Sequence, residues 1–95
     1  IRTNERVRVW VMDAGPNLVT TFHVVGTQFD TVWREGAYVI RGGGSGGGWG
    51  QVLPLGAAEG GFVEFTPLEA GHYSFVNHAL SLAEKGQTGV FEVSD

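Results

Sequence analysis

The stretch GFVEFTPLEAGHYSFVNH, residues 61–78, carries the pattern that decides the fold. Pro67 and Gly71 mark a corner between two short runs that are rich in aromatic and β-branched residues, so each run is predicted to be a strand. In the first strand, Phe62 or Val63 and Phe65 are expected to point inward and Glu64 toward solvent. The second strand alternates in the same way, with one face formed by Tyr73, Phe75 and Asn77 and the other by His72, Ser74, Val76 and His78.

The same period of two recurs on both sides of this stretch. Further strands are predicted in RVRVWVM (6–12), LVTTFHVV (18–25), FDTVW (29–33), AYVIR (37–41), GQVLPL (50–55) and TGVFEV (88–93). ALSLAEKG is the single helix-like segment, and it predicts one short helix near residues 79–85 that ends at Gly86. Seven or eight short strands with frequent turns predict an all-β fold, a Greek-key β-sandwich formed by one domain over residues 1–95.

Composition excludes several classes of function. The absence of cysteine excludes disulfides, thiolate zinc sites, iron–sulfur clusters and thiolate-based blue copper. A net charge of −4 gives no basic footprint for nucleic acid, and no apolar run is long enough to be a membrane segment. RGGGSGGGWG (41–50) is expected to be a surface loop pinned by Trp49. The lysine and the helix that a phosphate-binding loop requires do not follow it.

Two of the three histidines lie in apolar, strand-like runs. His23 and His78 are about 55 positions apart, near the ends of two strands, and could converge across a sandwich. Imidazole is a ligand for transition metals, but such sites generally use three or more ligands. Spacing alone therefore favours structural histidines, with a metal pair as the alternative. Asp30, Glu64 and Glu69 are expected to be surface carboxylates, and His72 is expected to face solvent.

The two histidine-bearing segments resemble a known family. NERVRVWVMDAGPNLVTTFHVVGTQFDTVW (4–33) and GFVEFTPLEAGHYSFVNHALSLAEKGQTGVFEV (61–93) are similar to the second, C-terminal cupredoxin domain of copper-containing nitrite reductases and of two-domain multicopper oxidases. The resemblance implies a cupredoxin-like sandwich that is a fragment of a longer multidomain chain. It also implies an extracytoplasmic location, either periplasmic or at the cell surface.

The resemblance implies a different role for each histidine. His78 matches the ligand that this domain contributes to a type 2 copper, which is shared with the N-terminal cupredoxin domain of a neighbouring subunit in a homotrimer. His23 matches a catalytic histidine that lines the substrate pocket and helps to deliver protons, and Val25 matches an aliphatic pocket residue over the copper. Asn77 stands where blue-copper cupredoxins have their copper cysteine, so a type 1 site is expected to be absent from this domain.

The implied activity is the one-electron reduction of nitrite to nitric oxide, performed only by the full assembly and not by the isolated domain. The chain departs from the family pattern at Asn77, where Asp is usual, at Val52, where the family has Thr, and across the loop 42–50. Three alternatives remain: a copper-free structural module for trimer assembly, part of a laccase-like multicopper oxidase, and a small copper carrier using His23 and His78, with or without His72. The laccase-like role would need His-x-His pairs, which the sequence lacks.

Overall fold

The computed structural model of the chain describes residues 1–15, 17–42, 48–79 and 86–95. Its strands are β1 (Val7–Met12), β2 (Thr20–Val24), β3 (Thr31–Arg34), β4 (Ala37–Ile40), β5 (Leu53–Leu55), β6 (Gly60–Phe65), β7 (Gly71–Asn77) and β8 (Thr88–Val93). They form two four-stranded sheets, the first in the order β1-β6-β3-β4 and the second in the order β5-β2-β7-β8. Neighbouring strands within each sheet run antiparallel. The predicted all-β sandwich is confirmed.

The core lies between the two sheets because each strand turns one apolar face inward. Its fully or nearly fully buried side chains come from both sheets and from the β2–β3 connection, and they are Phe22, Val24, Phe29, Val32, Leu53, Leu55, Val63 and Phe65. Val7, Val9 and Val11 of β1 pack against this cluster, as the alternation predicted. The inward pair on β6 is therefore Val63 and Phe65.

The outer face of the first sheet carries a row of aromatic side chains, one from each strand. The strand register aligns Trp10 with Phe62, Phe62 with Trp33 and Trp33 with Tyr38. Phe62 is only 4% exposed although it faces outward, because these rings and the guanidinium of Arg8, 4.2 Å from its ring centroid, cover it. Trp10, at one end of the row, stays 65% exposed.

An ion-pair network links β1 to β6 and to the start of β3. Arg6 donates to both carboxylate oxygens of Asp30 at 2.7 and 2.8 Å, and it also pairs with Glu64 at 2.9 Å. Arg8 pairs with the other oxygen of Glu64 at 2.9 Å. The expectation that Asp30 and Glu64 are surface carboxylates is wrong, because both side chains are largely covered and paired.

Burial alone would raise the pKa of Asp30, but hydrogen bonds from Arg6 and Thr31 outweigh that effect and hold the pKa below its ordinary value. Burial also acts to raise the pKa of Glu64, and the hydrogen bonds from Arg6 and Arg8 again lower it overall. Both carboxylates are therefore held in the charged form by the arginines that contact them.

Two sequence predictions fall partly or wholly outside the described residues. The short helix predicted near residues 79–85 falls on residues 80–85, apart from Ala79, which follows β7 as a bend. Most of the glycine-rich loop is also outside the described ranges, but Trp49 is described and is 54% exposed, so it does not pin the loop against the core. Among the described residues, no helix has the length and apolar character needed to cross a membrane.

The two ends of the chain lie against each other beside β8. Arg2 forms a parallel bridge with Ser94, and backbone hydrogen bonds of 2.9 Å join Thr3 N–H to the Ser94 carbonyl and Ser94 N–H to the Ile1 carbonyl. Asn4 N–H donates to the carbonyl of Pro67 at 2.7 Å. The first four residues therefore connect the last strand to the β6–β7 corner.

Candidate functional site

His23 and His78 lie side by side on the second sheet. His23 is in β2 and His78 directly follows β7, and these strands pair with Phe22 opposite Asn77 and His23 opposite Val76. The ring centroids are 5.4 Å apart, with the rings inclined by 72°. The sequence suggested convergence across the sandwich, but the structure brings the two histidines together on the outer face of one sheet.

A backbone carbonyl fixes the orientation of the His23 ring. Nδ1 of His23 lies 2.5 Å from the carbonyl oxygen of Gln51. A carbonyl can only accept, so Nδ1 carries the hydrogen and donates it, and the lone pair of the neutral ring is on Nε2. Gln51 is itself held in place because its neighbour Gly50 exchanges two backbone hydrogen bonds with the buried Phe29, at 2.7 and 2.9 Å.

His78 is held through its backbone rather than through its ring. Its N–H donates to the carbonyl of Thr21 at 2.8 Å, and its side chain is exposed. Among the hydrogen bonds of the described residues, none involves the His78 ring. The exposed ring of His78 therefore has no hydrogen-bond partner among the described residues and is open to a metal or a partner protein.

Apolar side chains surround the histidine pair. Val25 directly follows β2, two residues beyond His23, and is 49% exposed. Val52 is 37% exposed, and continuing the β2–β5 register, in which Phe22 pairs with Leu53, places it beside His23. Two part-exposed valines therefore flank the two imidazoles on this face.

The third histidine does not join the pair. His72 is exposed on β7 and lies opposite Glu92 of β8. It lies six positions before His78 along an extended strand, a distance of about 20 Å at 3.3 Å per residue. Within the described ranges, no three His, Cys, Asp or Glu side chains are grouped so that they could hold a metal ion.

Asn77 is a site residue whose structural role the sequence did not reveal. The sequence marked it only as a departure from the family pattern, whereas in the structure its buried side chain bonds to Thr21 of β2 and to Gln87, which precedes β8. Asn is rare inside strands, and a polar residue on the inward face of β7 was the available signal. Nothing in the sequence pointed to its partner Thr21.

Comparison with known proteins supports the family resemblance. No family model matches the chain. Over 93 residues, 97% of its length, the chain is 36% identical to the copper-containing nitrite reductases of Neisseria meningitidis serogroup A and Neisseria gonorrhoeae. It spans 22% of the length of these curated relatives.

Solved structures agree in fold. The copper nitrite reductase from Nitrosomonas europaea superposes with a TM-score of 0.84 at 22% identity, covering 100% of this chain and 32% of that chain. A Cu-containing nitrite reductase from Thermus scotoductus gives a TM-score of 0.84 at 27% identity, covering 98% and 21%. A laccase from Pediococcus acidilactici shares the fold at 17% identity, with a TM-score of 0.82 and coverage of 100% and 21%. The predicted resemblance and the cupredoxin-like fold are confirmed, and both are consistent with a C-terminal cupredoxin domain.

Proposed function

We propose that this chain, a cupredoxin-fold domain similar to part of the copper-containing nitrite reductases, is one domain of a longer protein that reduces nitrite to nitric oxide. Its part in the reaction is to supply His78 as one ligand of a type 2 copper and His23 as a pocket histidine. The remaining ligands come from the N-terminal cupredoxin domain of a neighbouring subunit in a homotrimer. The assembly is extracytoplasmic, in the periplasm or at the cell surface.

The observation that carries this proposal is the isolated pair of imidazoles on an exposed face. The rings of His23 and His78 are 5.4 Å apart, and the described residues offer no third side chain that could complete a metal site. A domain that contributes one ligand to a shared site needs no more than this. The exposed Val25 and Val52 beside the pair suit burial beneath a partner.

The donor chemistry of these residues fits copper. Neutral imidazole nitrogen is a good copper ligand, and His78 is exposed, with a ring that makes no hydrogen bond to the described residues. A copper ion bound there would act as a Lewis acid toward nitrite and relay one electron to it. The chain has no cysteine, so the thiolate that a type 1 copper requires must come from elsewhere in the assembly.

His23 is suited to moving protons. Because Nδ1–H is committed to the Gln51 carbonyl, Nε2 is the nitrogen that accepts and returns a proton. Reduction of nitrite by one electron consumes two protons and releases nitric oxide and water. Imidazole is the side chain whose charge changes nearest neutral pH, so His23 can pass protons to the departing oxygen while Val25 limits the space above the site.

The alternatives differ in what they require of the histidine face. A copper-free assembly module would use the same exposed valines without needing either ring. A small copper carrier would use the exposed pair without His72, because the extended β7 keeps His72 about 20 Å from His78. Likeness to the laccase concerns the fold alone, and the chain has no His-x-His pair.

Replacing each histidine in the full-length protein tests the proposal. His78→Ala should remove type 2 copper, measured by metal analysis and electron paramagnetic resonance, and leave type 1 copper in place. His23→Ala should retain both coppers, slow nitrite reduction by about 10²- to 10⁴-fold and change its pH profile. His72→Ala is the matched control, an exposed histidine on the same strand that should change nothing. Full type 2 copper in the His78 variant would contradict the assignment.

Copper titration of the isolated 95-residue chain tests the shared nature of the site. We expect weak binding, no blue colour and no nitrite reduction, because two imidazoles alone make a poor site. Tight binding of one copper ion per chain would favour the carrier and overturn the shared site.

A further inference from the structure

One buried amide connects the two strands that carry the histidines. Asn77, the last residue of β7, is 5% exposed. Its Oδ1 accepts from the N–H of Thr21 at 3.1 Å, from the Thr21 hydroxyl at 3.0 Å and from the N–H of Ala79 at 3.1 Å. Its Nδ2 donates to Oε1 of Gln87 at 2.8 Å. Four hydrogen bonds thus converge on one side chain, which we call the Asn77 clasp.

The clasp lies next to both imidazoles along the chain. His78 directly follows Asn77, and its N–H donates to the Thr21 carbonyl at 2.8 Å. Thr21 is two residues before His23 on the same face of β2. Asn77 and His78 together therefore engage the N–H, the hydroxyl and the carbonyl of Thr21, which fixes the backbone of one histidine relative to the strand of the other.

We propose that Asn77 is a positioning residue that sets the separation of the His23 and His78 rings and so prepares His78 to bind metal. The part of this inference that concerns copper rests on the proposed function, but the ring separation does not. The reason for a buried amide here is geometric. The pairing of β7 with β2 ends at Asn77, and His78 N–H still reaches the carbonyl of Thr21. The N–H groups of Thr21 and Ala79 are instead satisfied by the side-chain oxygen of Asn77.

The chemistry of the clasp predicts which substitutions it tolerates. Asp at position 77 keeps an oxygen for all three donors, and the amide of Gln87 can turn to donate to the carboxylate. Leu at position 77 has the same branched shape, with somewhat larger volume, but leaves the donors of Thr21 and Ala79 unpaired in a buried site. Asn77→Asp should therefore preserve the site and Asn77→Leu should disturb it.

The test compares these variants in the full-length protein, first free of copper and then with copper(II) as the probe. In the copper-free protein, crystal structures should show the 5.4 Å ring separation kept in Asn77→Asp and lost in Asn77→Leu. Copper titration should then show affinity reduced about 10- to 100-fold in Asn77→Leu, the range typical of lost outer-shell contacts, and near normal in Asn77→Asp.

A control separates positioning from loss of stability. Val63→Ala removes volume from a fully buried position on the other sheet and should lower the unfolding temperature without moving the rings or the copper affinity. If Asn77→Leu does not fold, Thr21→Val replaces it, because it removes one donor to Asn77 at nearly constant volume and suits a strand. Its copper affinity should fall toward the lower end of the same range.

The outcomes for the two proposals are distinct. Unchanged ring separation and copper affinity in the Asn77→Leu variant, or in Thr21→Val where that variant replaces it, would overturn the positioning role while leaving the copper assignment intact. Type 2 copper that survives His78→Ala would refute the proposed function. The copper-free ring separation would still decide whether Asn77 positions the two histidines.

Discussion

The carboxylate of Asp30 links the start of β1 to the start of β3 in the first sheet. It accepts two hydrogen bonds from Arg6 and one, at 2.8 Å, from the hydroxyl of Thr31. A bidentate hydrogen-bond contact from arginine to a nearly buried carboxylate is stronger than an exposed ion pair, because water competes less for the carboxylate oxygens. Arg6 is still half exposed, so part of its contribution is screened.

The lowered pKa of Asp30 predicts a loss of stability in acid. A carboxylate whose pKa is lower in the folded than in the unfolded chain stabilises the fold above its unfolded pKa, and that contribution is lost as pH falls through the folded pKa. The free energy of unfolding should therefore be steady near neutral pH and fall below about pH 4. Urea denaturation at a series of pH values measures this free energy of unfolding.

Asp30→Asn isolates this effect. It should cost about 1–2 kcal/mol at pH 7, because it weakens a charged hydrogen-bond pair, and it should flatten the acid-dependent loss. Glu59→Gln is the control, since Glu59 pairs with Arg34 at 2.8 Å at a more exposed position and should contribute little. Equal effects of the two substitutions, or an unchanged acid profile in Asp30→Asn, would contradict the role given to Asp30.

At the scale of the strands, close approach between β3 and β6 depends on Gly61. A Cβ at this position would collide with the carbonyl oxygen of Trp33 on the neighbouring strand. That oxygen belongs to the backbone, so relief would require the two strands to move apart. At Gly60, one residue earlier, a Cβ would lie 3.6 Å from the carbonyl oxygen of Val11, an ordinary contact.

Alanine substitutions at Gly60 and Gly61 should therefore have very different effects on the free energy of unfolding. Gly61→Ala should destabilise the domain by about 2–3 kcal/mol, the upper part of the range for overpacking. Gly60→Ala should change the free energy of unfolding by less than about 0.5 kcal/mol. Thermal or urea unfolding of both variants measures the difference, and similar values for the two would show that the sheet relaxes around the added methyl group.

At the scale of the strands, most positions could be predicted, because apolar and polar residues alternate along a strand and the apolar ones indicate its buried face. β1 alternates with the predicted period of two and β7 has the predicted faces. The turn at Glu35 and Gly36, between two predicted strands, joins β3 to β4 with positive φ at both residues. Phe62 was ambiguous because it is apolar yet faces outward, and only the rings on neighbouring strands bury it. Burial of Phe62 depends on which strands lie beside β6, and the residue pattern of β6 alone does not contain that information.

The candidate site was predictable only in part, for the same reason. Residue type singled out His23 and His78, and the resemblance gave each a role, which remains a prediction. Their contact depends on β2 pairing with β7 in one register, which neither segment specifies alone. Two hydrogen bonds of the site also join segments that are far apart in the sequence: Thr21 with Asn77, and His23 with the carbonyl of Gln51. The residue pattern of one segment cannot predict such bonds.

At the scale of the whole molecule, the two outer faces differ in chemistry. The second sheet presents imidazoles among exposed valines, and the first presents the aromatic row that ends in Trp10. The chain spans only 22% of the length of its curated relatives. The face that carries the histidines is the one that we propose contacts a partner domain. Metal binding at this face is therefore expected of the assembly and not of these 95 residues alone.

The pairing of the two chain ends has a consequence for solubility. β8 is the last strand of its sheet, and an uncovered edge strand offers unpaired N–H and C=O groups to strands of other molecules. Residues 1–4 bond to Glu92 and Ser94 and so cover the C-terminal end of that edge, which limits strand addition from other molecules there. Deleting residues 1–4 should make the 95-residue chain aggregate faster by light scattering, whereas deleting Asp95 alone should not. Equal aggregation of both variants would show that the edge is protected by other means.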